Sequence, residues 1–142
     1  MSYITRAQLT DRYSANVLTK LTDRGTPKTG VIDDDVLNRA ITDADALIDA
    51  HIAKVYKLPV SAVPMMLVGI AGALTFYKLH IYQADEKATN DYRDALRNLE
   101  KIGRREILLD IEGVEPTSAH TSQVYTTDRD RPMTGSNLKG FI

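Results

Sequence analysis

Between Lys57 and Lys78 lie twenty residues without a charge, LPVSAVPMMLVGIAGALTFY. No other part of the chain is so apolar, and three structures could use it: a membrane span, a buried core helix, or a surface kept for a partner. Proline decides where a helix here can start. It suits the first turn and spoils the interior, so Pro59 and Pro64 put the start near Pro64. About fourteen residues then remain before Lys78, whereas a spanning helix needs around twenty. The segment also continues as LHIYQ, with polar His80 and Gln83. A central helix surrounded by others is the expectation. Gly69, Gly72 and Ala73 would let neighbours approach closely, offsetting a helix-propensity cost of about 1 kcal/mol per glycine.

The remaining pattern is helical. Thr5 to Leu21 reads as one helix or two short ones, with Thr5 as N-cap and Leu9, Tyr13, Val17 and Leu21 as its apolar stripe. LTDRGTPKTG follows as a loop. Asp33 is the N-cap of the clearest helix, and Asp34 and Asp35 lie where the helix dipole favours negative charge. Val36, Leu37, Ala40, Ile41, Ala44, Leu47, Ile48, Ile52 and Val55 keep helical spacing over about 23 residues, roughly 35 Å. A fourth helix runs from about Glu86 to Ile102, capped by Asp85 or Asn90. Ala88, Tyr92, Ala95, Leu96, Leu99 and Ile102 form its stripe, and Gly103 is its stop. REILLDIEG reads as a short strand or a frayed turn. The fold class is therefore all-α: a small bundle of about four helices (residues 1–110) with an extended, partly disordered C-terminal tail (111–142). That tail is rich in Ser, Thr, Asp, Gly and Pro, with two apolar islands, Val124–Tyr125 and Leu138, Phe141 and Ile142.

Function classes narrow by chemistry. With 43% apolar residues, 26% charged residues and net charge −1, the chain reads as an ordinary globular domain without broad attraction to nucleic acid or acidic membranes. The absence of cysteine removes disulfides, thiolate zinc sites and cysteine nucleophiles. His51, His80 and His120 are scattered, and GIAGAL lies inside an apolar helix rather than in a phosphate loop. Asp45 and Asp49 could share a cation with His51 or Asp43, but an acidic solvated face is the simpler reading. No enzyme, cofactor or metal is expected. Neither Arg104–Arg105 nor Arg129 and Arg131 makes a basic stripe, and no recognition helix follows Thr5–Leu21. MSYITRAQLTDRY lacks a signal-peptide region, so the cytoplasm is the expected place of synthesis.

Several motifs carry a family resemblance. LTDR (Leu21–Arg24), IDDDVLNRAITDADALIDAHI (Ile32–Ile52), YKLPV to Pro64 and the late LKGF (Leu138–Phe141) resemble the small head–tail adaptor proteins of Mu-like phages and prophages. The resemblance covers residues 1–110 well and the tail in patches. It implies a virion structural protein, a connector made in the bacterial cytoplasm. Such a subunit forms a ring, twelvefold by similarity, beneath the portal, extends the DNA channel and offers a docking surface to the tail. Implied partners are the portal, neighbouring adaptor subunits and a tail or stopper protein, with DNA passing unrecognised by sequence and no membrane. Under this reading Val124, Tyr125, Leu138 and Phe141 grip the portal or a neighbour, and Asp43, Asp45 and Asp49 form a channel-facing acidic surface that repels DNA. The alternatives are a prophage DNA-binding regulator and a small membrane-associated protein.

Overall fold

A computed structural model describes residues 1–111. Its helices are α1 (Arg6–Tyr13), α2 (Ala15–Thr22), α3 (Asp34–Ile52), α4 (Met65–Leu79) and α5 (Glu86–Gly103), with no strand among the described residues. The all-α class is as expected. The count is five because the first segment is two helices. Ser14, at φ 66°, turns the chain between them. This break changes which residues face inward. Leu9 and Leu18 are fully buried, whereas Val17, expected in the apolar stripe, is exposed.

Caps explain most boundaries. Thr5 and Gln8 form a capping box on α1: the Gln8 N–H donates to Thr5 Oγ1 at 3.3 Å, and the Thr5 N–H donates to Gln8 Oε1 at 2.9 Å. Asp33 Oδ1 accepts from the Asp35 and Val36 N–H groups, and Asp85 Oδ1 accepts from Ala88 N–H, which selects Asp85 over Asn90. α3 stops at Ile52, short of Val55, because the N–H groups of Val55 and Tyr56 both turn back onto the Ile52 carbonyl. α4 starts after Pro64 and stops at Leu79 instead of running on through LHIYQ. Side chains there take over two terminal carbonyls: Arg24 donates to Leu79 O at 2.8 Å, and His80 Nδ1 lies 2.9 Å from Phe76 O.

α4 is the centre. It packs against both α3 and α5. Leu67, Val68, Ile70, Ala71, Gly72, Leu74, Thr75 and Leu79 are buried. α3 contributes Leu37, Ala40, Ile41, Ala44, Ile48 and Ile52, and α5 contributes Ala88, Ala95, Leu99 and Ile102. Each fully buried aliphatic side chain contributes about 1.5–3 kcal/mol relative to exposure. The Tyr77 and Tyr92 rings stack at 4.1 Å between α4 and α5, and Tyr13 stacks on Phe76 at 4.1 Å between α1 and α4. The close approach expected of the glycines occurs at Gly72, where an added Cβ would lie 3.2 Å from Ile4 Cδ1 and 3.5 Å from Arg12 Cδ. Side chains rather than a neighbouring backbone make that approach.

After α5 the chain makes one further hydrogen-bonded turn, the Glu106 N–H donating to Lys101 O at 2.9 Å, and no strand among the described residues. Arg105 takes φ 62°, and the chain beyond it buries Leu109 and Ile111. The Leu109 N–H donates to Tyr56 Oη at 2.8 Å. Ile111 is thus part of the core, although it was assigned as the first residue of the tail. Val124, Tyr125, Leu138 and Phe141 lie outside the described residues, as does the rest of the tail.

One buried group stands apart. The hydroxyls of Thr10, Thr19, Thr22, Thr42 and Thr89 each donate to the carbonyl four residues back. Thr75 Oγ1, fully buried, has no hydrogen-bond partner among the described residues. A polar atom buried without a partner costs about 1–3 kcal/mol. Thr75→Val, nearly the same shape, is therefore expected to stabilise the fold by about 1 kcal/mol. Calorimetry should show a higher Tm; an unchanged or lower Tm would contradict this account of α4.

Candidate functional site

The LTDR residues sit at a structural junction. Leu21 packs against the core edge. Thr22 donates to Leu18 O at 2.8 Å and accepts from Asp33 N–H at 3.1 Å, which ties α2 to the start of α3. Asp23 accepts from Gly30 N–H at 2.9 Å and from the Thr29 hydroxyl at 3.3 Å, folding the intervening loop back on itself. Gly30 takes φ 72°, where a Cβ would be strained. Backbone donors from Gly30 and Thr29 hold the Asp23 carboxyl below its ordinary range. Arg24 reaches Leu79 O and caps α4, placing a cation where the helix dipole favours one. All four residues serve the joint between helices.

The acidic residues of α3 divide. Tyr3 is buried and donates twice into the helix, its N–H to Asp45 Oδ1 at 3.0 Å and its phenol to Asp49 Oδ1. Burial and then the Asp49 hydrogen bond push the Tyr3 phenol well above its usual value. Burial raises the Asp45 pKa, while the Tyr3 N–H and Ser2 hydroxyl pull it back. Asp45 and Asp49 are thus an anchor for the amino-terminal strap. Asp43 is not with them: two residues is about 200° around a helix. It is exposed on another side, near Asp35, Asn38 and Arg39. The three carboxylates expected on one acidic face are split by the fold.

Sequence reasoning missed Tyr3 and Ile4, both at most 2% exposed. The signal was available: Ile4 precedes the N-cap Thr5 and Leu9 follows at the fourth helical position, the spacing of a hydrophobic staple. His51 and His80 are occupied locally, with Nδ1 at 2.8 Å from Leu47 O and 2.9 Å from Phe76 O. His120 lies outside the described residues. Among those residues, no three His, Asp or Glu side chains are placed to hold a metal, and no helix is long and apolar enough to cross a membrane.

An open cleft of about 470 Å³ lies over α4, between α1 and α5, and brings polar groups from both together. Gly69, Ile70 and Ala73 form its floor, with Met66 at one end. Arg12 and Tyr13 line one wall, and Lys87, Asp91, Asp94 and Asn98 the other. Lys87 pairs with Asp91 and Arg97 with Asp94. Burial raises the Tyr13 pKa, and the Asp91 charge adds to it against Arg12 and Lys87. Large apolar side chains also remain outside: Met65 at the start of α4, Ile81 and Tyr82 after it, and Leu108 past α5. Of these features, sequence spacing had singled out Gly69 and Ala73 on the cleft floor.

Residues 3–127 match the family described as "Bacteriophage Mu, Gp36". The chain is similar to gene product J of Escherichia phage Mu, at 32% identity over all of both chains. It is also similar to the Mu-like prophage FluMu protein gp36 of Haemophilus influenzae, at 27% identity over 99% of this chain and 98% of that protein.

Two consequences of the junction and the strap can be measured. Arg24→Ala is expected to cost about 1 kcal/mol by leaving the end of α4 without its charged donor. Arg24→Lys should recover only part, since a single ammonium does not reproduce a guanidinium that reaches two carbonyls; chemical denaturation checks both. For Asp45, burial favours the protonated form, so its folded pKa lies above the unfolded one. Ionised Asp45 subtracts stability above the folded pKa, and the loss is recovered as pH falls toward the unfolded value of about 3.9. Asp45→Asn should be at least as stable as the parent near neutral pH, with the gap closing on acidification. Thermal melts across that range test it, and a gap that widens as pH falls would reverse the sign.

Proposed function

The chain belongs to the bacteriophage Mu Gp36 family, and on that premise we propose that it is a non-catalytic structural adaptor of the head–tail junction. In this reading it docks beneath the portal, lengthens the DNA channel and offers the tail, or a stopper protein, its attachment surface. Subunits join as a ring, twelvefold on the portal, and DNA passes through without being read. The protein is made in the bacterial cytoplasm and ends in the virion. It uses no cofactor and no membrane.

One observation carries the reading. LTDR, one of the family-like motifs, is spent on holding helices together at the joint of α2, α3 and α4. Meanwhile Met65, Ile81, Tyr82 and Leu108 are left on the surface at helix ends. A subunit that must be rigid and adhesive has this allocation. A ring also needs two different, complementary surfaces per subunit, because only a heterologous contact repeats around an axis. A DNA-reading regulator fits less well. α1 and α2 are separated by Ser14 alone, whereas a helix-turn-helix uses a turn of three or four residues.

Sedimentation of the purified full-length chain with its portal tests the proposal. The chain should co-sediment with the portal and appear as an added ring by electron microscopy, and phage lacking the gene should accumulate heads without tails. Tight, sequence-specific DNA binding with no association to the portal would replace this reading with the regulator.

A further inference from the structure

α4 is covered along most of its circumference, but at Met66, Gly69 and Ala73 it forms the floor of the cleft and faces outward. The rim carries an unmatched charge. Arg12, whose Cδ lies over Gly72, has no carboxylate within salt-bridge distance among the described residues, while the facing cation Lys87 is neutralised by Asp91. The cleft therefore suits an apolar or aromatic insert accompanied by a carboxylate.

The same molecule presents such an insert. Tyr82 is 88% exposed and Ile81 61%, at the tip joining α4 to α5. The tip is short and held at both ends. His80 is tied to Phe76 O and meets the Phe76 ring edge-on at 5.0 Å, and Asp85 caps α5. A side chain on a pre-ordered tip loses little freedom on insertion. Glu86, the next residue after the cap, is exposed and makes no salt bridge among the described residues.

We propose that copies of this chain join head-to-tail, the Ile81–Tyr82 tip of one seated in the α1–α4–α5 cleft of the next, with Glu86 of the first meeting Arg12 of the second. Tip and cleft are different surfaces, so the contact is heterologous and can repeat. The tyrosine ring fits an apolar floor with a polar rim, its hydroxyl reaching the donors and acceptors of Asn98 and Asp94. As the ring contact, it rests on the adaptor reading above; as a contact between two copies, it can be measured without the portal.

The chain has no cysteine, so engineered pairs report without background. Full-length Tyr82→Cys and full-length Ala73→Cys are mixed and oxidised. Tethering at a real contact raises effective concentration, so the mixed disulfide should form on the order of tenfold faster than between Tyr82→Cys and Lys20→Cys. One chain carrying both substitutions should give a ladder beyond the dimer. Arg12→Glu and Glu86→Arg should each slow cross-linking, and mixtures in which the two reversed charges face each other should restore it. A rate no higher than the Lys20→Cys control, or Tyr82→Cys preferring itself, overturns the proposal. If cross-linking fails while the protein still binds the portal, the contact is wrong and the adaptor role stands. If cross-linking succeeds without portal binding, the contact stands and the adaptor role falls.

Discussion

α4 has to be hidden nearly all the way round, and that requirement organises the molecule. Its fifteen residues carry one charge, Lys78, in the last turn. A helix apolar on every side needs neighbours on every side. α3 and α5 cover two of them, and α1 with Ile4 covers a third at Gly72, where the missing side chain leaves the necessary room. The length of α4 is set at its ends, by Pro64 before it and by Arg24 on its last carbonyl. Arg24 comes from the loop after α2, so the centre of the fold is closed by a residue distant in sequence.

LTDR, one of the motifs that suggested the family, is a joint. Thr22, Asp23 and Arg24 each spend their polar atoms on a different element: the start of α3, the loop to Gly30 and the end of α4. A substitution at any of them loosens a helix junction.

Periodicity made the helices legible, since Leu37 through Ile52 in α3 and Ala88 through Ile102 in α5 are buried at the spacing their sequences display. Caps were legible too, because Thr5, Asp33 and Asp85 act within three residues of themselves. What the pattern hid depends on distance or on a single backbone angle. Ser14 breaks a stripe that looked continuous, and Leu18 replaces Val17 in the core. Asp45 and Asp49 looked like part of a solvated face with Asp43, but their partner is Tyr3, more than forty residues earlier. The cleft was illegible for the same reason: Arg12, Ala73 and Asp94 meet only once three helices are packed.

The strap and the cleft are parts of one arrangement. Asp45 and Asp49 hold Tyr3, and the next residue, Ile4, seats against Gly72. That seat sets the height of α1 over α4. Arg12 also rests on Gly72, and Tyr13 is pinned by its stack on Phe76, so one wall of the cleft is located by contacts that begin on α3. The opposite wall belongs to α5, fixed against α4 by the Tyr77–Tyr92 stack. The width of the cleft therefore reports whether the amino-terminal strap is in place. The carboxylates of Asp45 and Asp49 are thus linked to that wall through Tyr3, Ile4 and Gly72, although they do not line the cleft.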